Sequence, residues 1–158
     1  MTDQNDLAYQ DDQWLIWHIS LLALLIWREA RSESFLGKVA VGYSVRNRVE
    51  HPKWWGNTYS AVMAKKWQYS SLAAPGDPQL MTWPVFPDDA FTECLDVADR
   101  VIHGTTSNPC PEADSYYATY IAPPKWALDA QFVVLIGQHK FYNTDGSHPE
   151  NDTTGGYK

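Results

Sequence analysis

The sequence predicts an α+β fold that is mainly helical, with one small β element towards its C-terminal end. Three observations predict it. Residues 14–30 run without Pro or Gly and are apolar nearly all round, as a helix central to a core should be. Apolar residues recur at helical spacing over 35–49 and 90–103. After Ser115 the pattern changes to short aromatic and β-branched runs around Gly137, which suit strands. With 158 residues, 44% hydrophobic and 20% charged, the chain is of a size for one domain with a sizeable core. That domain is expected to span residues 1–143, with 1–10 as a frayed lead-in and 144–158 as a flexible, Gly-, Asp- and Thr-rich tail.

Each element has its own punctuation. Asp11 and Asp12 can cap the helix of residues 14–30 and complement its dipole. Ser32 or Ser34 can cap a second helix over 35–49, in which Gly37, Ala40 and Gly42 allow another helix to approach closely, and His51-Pro52 ends it. Trp54-Trp55-Gly56 reads as a turn, after which Asn57 or Thr58 can cap a short helix over 59–66. Ala74-Pro75-Gly76-Asp77-Pro78 is a loop. Asp88 or Asp89 caps the helix over 90–103, whose stripe includes Phe91, Cys94, Leu95, Ala98, Val101 and Ile102, and Gly104 stops it. Residues 115–121 are expected to be extended, and 132–136 and 140–143 to form short strands about Gly137-Gln138-His139.

Composition removes several function classes. A net charge of -7 supplies no basic face for nucleic acid and no polybasic signal for an anionic membrane. The longest apolar run, 14–27, is broken by His18 and Ser20 and falls short of the roughly 20 residues a spanning helix needs. Met1-Thr2-Asp3-Gln4-Asn5-Asp6 lacks the positive region and cleavage site of a secretory signal. Two cysteines, Cys94 and Cys110, are too few for a disulfide framework; they could form one bridge, or stay free thiols in a protein made in a cytoplasm. Eight Trp and nine Tyr either fill the core or line a groove on which sugar rings stack.

The familiar catalytic constellations are missing. There is no His-Glu-x-x-His, no Gly-x-Ser-x-Gly, no Walker loop and no Gly-x-Gly-x-x-Gly, and His103, His139 and His148 are too scattered to suggest a metal site. Cys94 could pair with His139 as a nucleophile, but it falls on the apolar stripe of a helix. What remains is carboxylate chemistry. Glu29 follows Trp27 near the last turn of a buried helix, where desolvation raises a carboxyl's pKa towards that of a general acid. The alternative is a surface role, Glu29 pairing with Arg28, Arg31 or Lys38. A second carboxylate, as glycoside cleavage usually employs, could come from Asp77, Asp88, Asp89 or Asp114, and nothing in the sequence selects among them.

Several stretches together resemble the cell-wall hydrolases related to spore-cortex-lytic enzymes. They are Glu29-Ala30-Arg31-Ser32-Glu33, Gly37-Lys38-Val39-Ala40-Val41, Val45-Arg46-Asn47-Arg48-Val49, Trp67-Gln68-Tyr69-Ser70, Tyr116-Tyr117-Ala118-Thr119, Pro124-Lys125-Trp126-Ala127 and Ile136-Gly137-Gln138-His139-Lys140-Phe141-Tyr142. The resemblance implies a lysozyme-like domain and a lytic transglycosylase that cleaves the MurNAc-GlcNAc bond of bacterial peptidoglycan, with Glu29 as its one catalytic acid. It further implies that Gln68 and Ser70 orient the acid or bond the sugar acetamide, and that Tyr116, Tyr117, Tyr120 and His139 bind substrate. Glu33, one turn on, is expected to be a surface ion-pair partner, and Asn47 and Arg48 to brace the fold. The family usually carries Gly before this Glu. Here it is Arg28, a cation that would lower the acid's pKa if it faced it.

Two other functions remain open from the residues: a muramidase that delivers water to the same bond, and a non-catalytic glycan-binding or virion structural protein. The expected partner is peptidoglycan alone, with no cofactor, metal, nucleic acid or membrane, and the expected state is a monomer. The expected setting is that of a phage endolysin, made in the cytoplasm and reaching the wall through a holin-formed lesion.

Overall fold

The structure, a computed structural model, describes residues 4–147 other than Trp67, with side chains from Asp11 onward. Three long helices carry the core: α1 (Gln4–Ala30), α2 (Phe35–Glu50) and α5 (Asp89–His103). Two short helices, α3 (Tyr59–Met63) and α4 (Ser70–Ala73), and a 3-10 turn over Pro78–Met81 lie between α2 and α5. A three-stranded antiparallel sheet follows, β1 (Ser115–Ala118), β2 (Gln131–Ile136) and β3 (His139–Asn143), in the order β1-β3-β2. Its register sets Tyr116 opposite Phe141 and Ala118 opposite His139, and β2 carries an irregularity between Phe132 and Val134. The mainly helical α+β architecture expected from the sequence is the one observed.

The caps explain why the helices start where they do. Ser34 accepts from Gly37 N at 3.2 Å, Thr58 from Ala61 N at 3.1 Å and Asp88 from Phe91 N at 2.8 Å. Gly104, at φ 68°, closes α5 in the left-handed conformation that favours glycine. Leu22, Leu25 and Ile26 of α1 meet Val39, Val41 and Val45 of α2 and Val97 and Val101 of α5 in one buried cluster, joined by Phe141 from the sheet. Gly42 permits the close approach: a Cβ there would lie 3.0 Å from Val101 Cγ2 and 3.4 Å from Ile26 Cδ1. Cys94 and Cys110 are buried free thiols.

Four boundaries differ from the sequence reading. Helix α1 begins at Gln4, so the residues taken for a frayed lead-in are largely helical, consistent with a stretch that holds no Pro or Gly. Its stretch from Asp11 to Trp17 is not core: Trp14, Ile16 and Trp17 are exposed, and burial becomes continuous only towards the C-terminal end. Helix α3 stops at Met63, short of Lys66. The tail begins later than Thr144, because Asp114 holds Thr144 through its N–H at 3.1 Å and its hydroxyl at 2.9 Å. Gly146 O then accepts from Trp54 Nε1 at 3.1 Å. Residues 1–3 and 148–158, with the rest of the expected tail and His148, lie outside the described residues.

Buried polar side chains tie the sheet to the helices. Asn47 Nδ2 donates to Cys110 O at 3.0 Å and Ala113 O at 2.8 Å, while its Oδ1 accepts from Asn108 at 2.9 Å. Arg48 Nε donates to Asp114 O at 2.6 Å. Both residues brace the fold. Replacing Asn47 by Ala strands two buried carbonyls and an amide. We expect a loss of about 2–3 kcal/mol in urea unfolding, with the helical signal of the native state retained.

Candidate active site

Glu29 occupies the last turn of α1, where the buried end of the helix meets a groove of about 580 Å³. One wall is the segment from Ser70 to Gln79, and the other is β1 and its continuation, with Tyr116, Tyr117, Tyr120, Ile121 and His139. Glu29 Oε1 accepts from Ser71 N at 3.2 Å, and Oε2 accepts from the Tyr116 hydroxyl at 3.2 Å. Each wall therefore donates one hydrogen bond to the carboxyl between them. Burial raises the Glu29 pKa, the hydrogen bonds from Ser71 and Tyr116 oppose it, and the charge of Asp77 adds to the rise.

Arg28 does not face the acid. Its guanidinium turns into the opposite loop, where Nε donates to Thr82 O at 3.0 Å, Nη1 to Ser71 O at 2.9 Å and Nη2 to Leu80 O at 3.3 Å. The Trp83 ring covers it, 4.5 Å from centroid to Cζ. The guanidinium donates to backbone carbonyls of the loop, the Asp77 charge acts on it as well, and burial leaves the Glu29 pKa raised. Arg31 continues the clamp, with Nη1 donating to Gln79 Oε1 at 3.1 Å.

Glu33 is not a surface residue. With a side-chain exposure of 10%, it accepts from Gln138 N at 2.9 Å and lies 3.2 Å from His139 Nδ1. It pins the β2–β3 turn to the end of α1. Gly137, at φ 56°, leaves room for it: a Cβ there would come within 2.5 Å of Glu33 Oε2. His139 lines the groove and packs edge-on against Tyr116 at 5.0 Å. Burial lowers its pKa although Glu33 pulls the other way.

The structure brings together Glu29, Ser70, Tyr116, Tyr117, Tyr120 and His139 on one groove. Tyr120 is 78% exposed, at the rim, whereas Tyr117 stacks on Tyr142 at 5.7 Å and offers the groove only part of its ring. Gln68 is the exception. It is buried and is not among the residues lining the groove, and its Oε1 accepts from Arg48 Nη1 at 3.3 Å. Sequence reasoning missed Ser71, whose backbone N–H faces the acid, and left Asp77 unselected. Asp77 had one local signal: Asp before Pro78 caps the 3-10 turn, its Oδ1 accepting from Gln79 N at 2.8 Å. Among the described residues no group of His, Cys, Asp and Glu is arranged to hold a metal, and no helix is long and apolar enough to cross a membrane.

A half-buried acid between two polar walls defines a glycosidase-like groove, and comparison with known proteins agrees. A family model described as cell wall hydrolase matches residues 32–142, and the chain belongs to that family. Glu29 lies just before the matched segment. The fold is similar to the catalytic domain of the germination-specific lytic transglycosylase SleB from Bacillus anthracis, with 25% identity, a TM-score of 0.64, and coverage of 80% of this chain and 93% of that one. It is likewise similar to the catalytic domain of the Bacillus cereus SleB protein, with 26% identity, a TM-score of 0.54, and coverage of 80% and 89%. No curated protein matches the chain.

The raised pKa of Glu29 has a consequence for stability. Relative to the unfolded chain, the group favours folding while both states are protonated, and that contribution is lost as pH rises through the folded-state value. Glu29→Gln keeps an acceptor for Ser71 N and carries no charge. Its melting temperature is expected to exceed that of the parent at neutral pH, with the gap closing in acid. The check is a pair of calorimetric series across pH.

Proposed function

We propose that the protein is a peptidoglycan lytic transglycosylase in which Glu29 is both the general acid and the general base. The observation that carries the reading is the carboxyl itself. Glu29 is a desolvated acid held from both walls of a groove, one of them rich in tyrosine and histidine. Membership of the cell wall hydrolase family supports peptidoglycan as the substrate, and similarity to a lytic transglycosylase domain supports the reaction type.

The hydrogen bonds favour one oxygen for the proton. Ser71 N–H can only donate, so Oε1 remains an acceptor. The Tyr116 hydroxyl can turn from donor to acceptor, so the protonated carboxyl carries its hydrogen on Oε2. That proton passes to the oxygen linking N-acetylmuramic acid to N-acetylglucosamine, and the C1–O bond breaks. The Glu29 carboxylate then takes the proton of the muramoyl 6-hydroxyl as its oxygen bonds to C1. The product is a 1,6-anhydromuramoyl end, and Glu29 is again protonated. Water and a nucleophilic carboxylate are both dispensable. Tyr116, Tyr117, Tyr120 and His139 form the sugar-facing wall, and Ser70 faces them across the groove.

Glu29→Gln should bind glycan and lose wall-degrading turnover by about 10²-fold or more. Undiminished lysis by that variant would remove Glu29 from the mechanism. Mass spectrometry of digested peptidoglycan reads the chemistry: anhydro ends are expected, and reducing ends alone would make the protein a muramidase.

A further inference from the structure

We propose that Asp77 is the second carboxylate of this site, a fixed negative charge on the Ser70–Gln79 wall that stabilises the cationic sugar formed as Glu29 gives up its proton. The inference rests on the assignment of Glu29 as the acid. Four loop aspartates were candidates in the sequence, and position now separates them. Asp88 caps α5, and Asp89 begins that helix. Asp114 is buried, with its oxygens taken by Thr144 and Ser115. Asp77 remains. Among the described residues, Glu29 and Asp77 are the two carboxylates that line the groove.

Asp77 is also held in place. Its Oδ1 caps the 3-10 turn through Gln79 N at 2.8 Å. Arg28 fastens the same segment on both sides of Asp77, at Ser71 O before it and at Leu80 O and Thr82 O after it. The carboxylate therefore has a fixed position relative to the last turn of α1, which carries Glu29. A charge placed in advance stabilises a transition state without the cost of reorganising at the moment of reaction. The glycosyl cation develops positive charge at C1 and the ring oxygen, and a negative group lining the groove is matched to it. Asp77 makes and breaks no bond, so the proton balance stays with Glu29 and the 6-hydroxyl.

The charge has a second effect, on the acid. Asp77 acts to raise the Glu29 pKa, in addition to burial. The other ionisable groups around Glu29 differ in state. Burial raises the pKa of Tyr69 and Tyr116 and lowers that of His139, Glu33 is engaged with the β2–β3 turn, and the Arg28 guanidinium donates to carbonyls while the Asp77 charge acts on it too. Removing the Asp77 charge therefore lowers the pKa of Glu29, and the alkaline limb of activity, on which Glu29 must still be protonated, moves to lower pH.

The test is Asp77→Asn, which retains an oxygen to accept from Gln79 N and so keeps the turn. With soluble glycan-strand substrate, kcat is expected to fall about tenfold or more with KM within about threefold. The alkaline limb of the pH profile is expected to move to lower pH. Unfolding midpoints of parent and variant, measured alongside, should agree. Parent-like kcat and an unmoved limb in a folded Asp77→Asn protein would overturn the proposal. A rise in KM with kcat unchanged would overturn it too, by making Asp77 a binding group. Glu29→Gln in the same assay separates the two readings. If it abolishes turnover while Asp77→Asn is silent, only the role of Asp77 fails; if Glu29→Gln is active, the assignment of the acid fails first.

Discussion

The groove depends on how the Arg28 guanidinium is used. An arginine next to a catalytic acid is a poor neighbour unless something else claims its charge, and three backbone carbonyls of the 71–82 segment do so. One side chain then does two things. It gives the guanidinium hydrogen-bond partners in the loop instead of the Glu29 carboxyl, and it draws the Ser70–Gln79 wall against the end of α1, where Ser71 N–H meets the carboxyl. That wall contains little regular structure of its own, a four-residue helix and a 3-10 turn, so its position is imposed from outside. Arg28 and Arg31 are the means.

The opposite wall is held by a different device. Glu33 reaches from just beyond α1 to the β2–β3 turn, and Arg48 and Asn47 reach from α2 to the chain just before β1. Both walls are thus tied to the long helices by charged or polar side chains that are themselves buried, and the aromatic groups of the sheet fill the space between. Such ties are specific because an unpaired partner would be costly in that setting. The floor of the groove and the acid on it are consequently as fixed as the core.

What could be read in the sequence was what is encoded locally. Ser34, Asp88 and Gly104 act within a few residues of themselves, and α2 and α5 fall where those residues place them. Glu29 could be singled out because it follows an apolar run near a helix end, a place that the core and a neighbouring wall can desolvate. The groove wall was not legible, because Arg28 finds its partners 43 to 54 residues away and nothing in its neighbourhood announces them. Gln68 was misplaced for a related reason: an amide that can bond a sugar acetamide can equally bond a buried guanidinium, and only the fold decides which it meets. Glu33 was placed on the surface because helical spacing cannot foresee a hairpin folding over it.

The bond between Asp114 and Thr144 bears on where the domain can be cut. Asp114 is a buried acid whose oxygens are met by the N–H and hydroxyl of a residue that lies just past the last strand. A shortened protein ending at Asn143 would leave that carboxylate in the interior with half its partners gone, close to the arginine that supports the sheet. Thr144 therefore belongs to the domain, and strand β3 is not its edge.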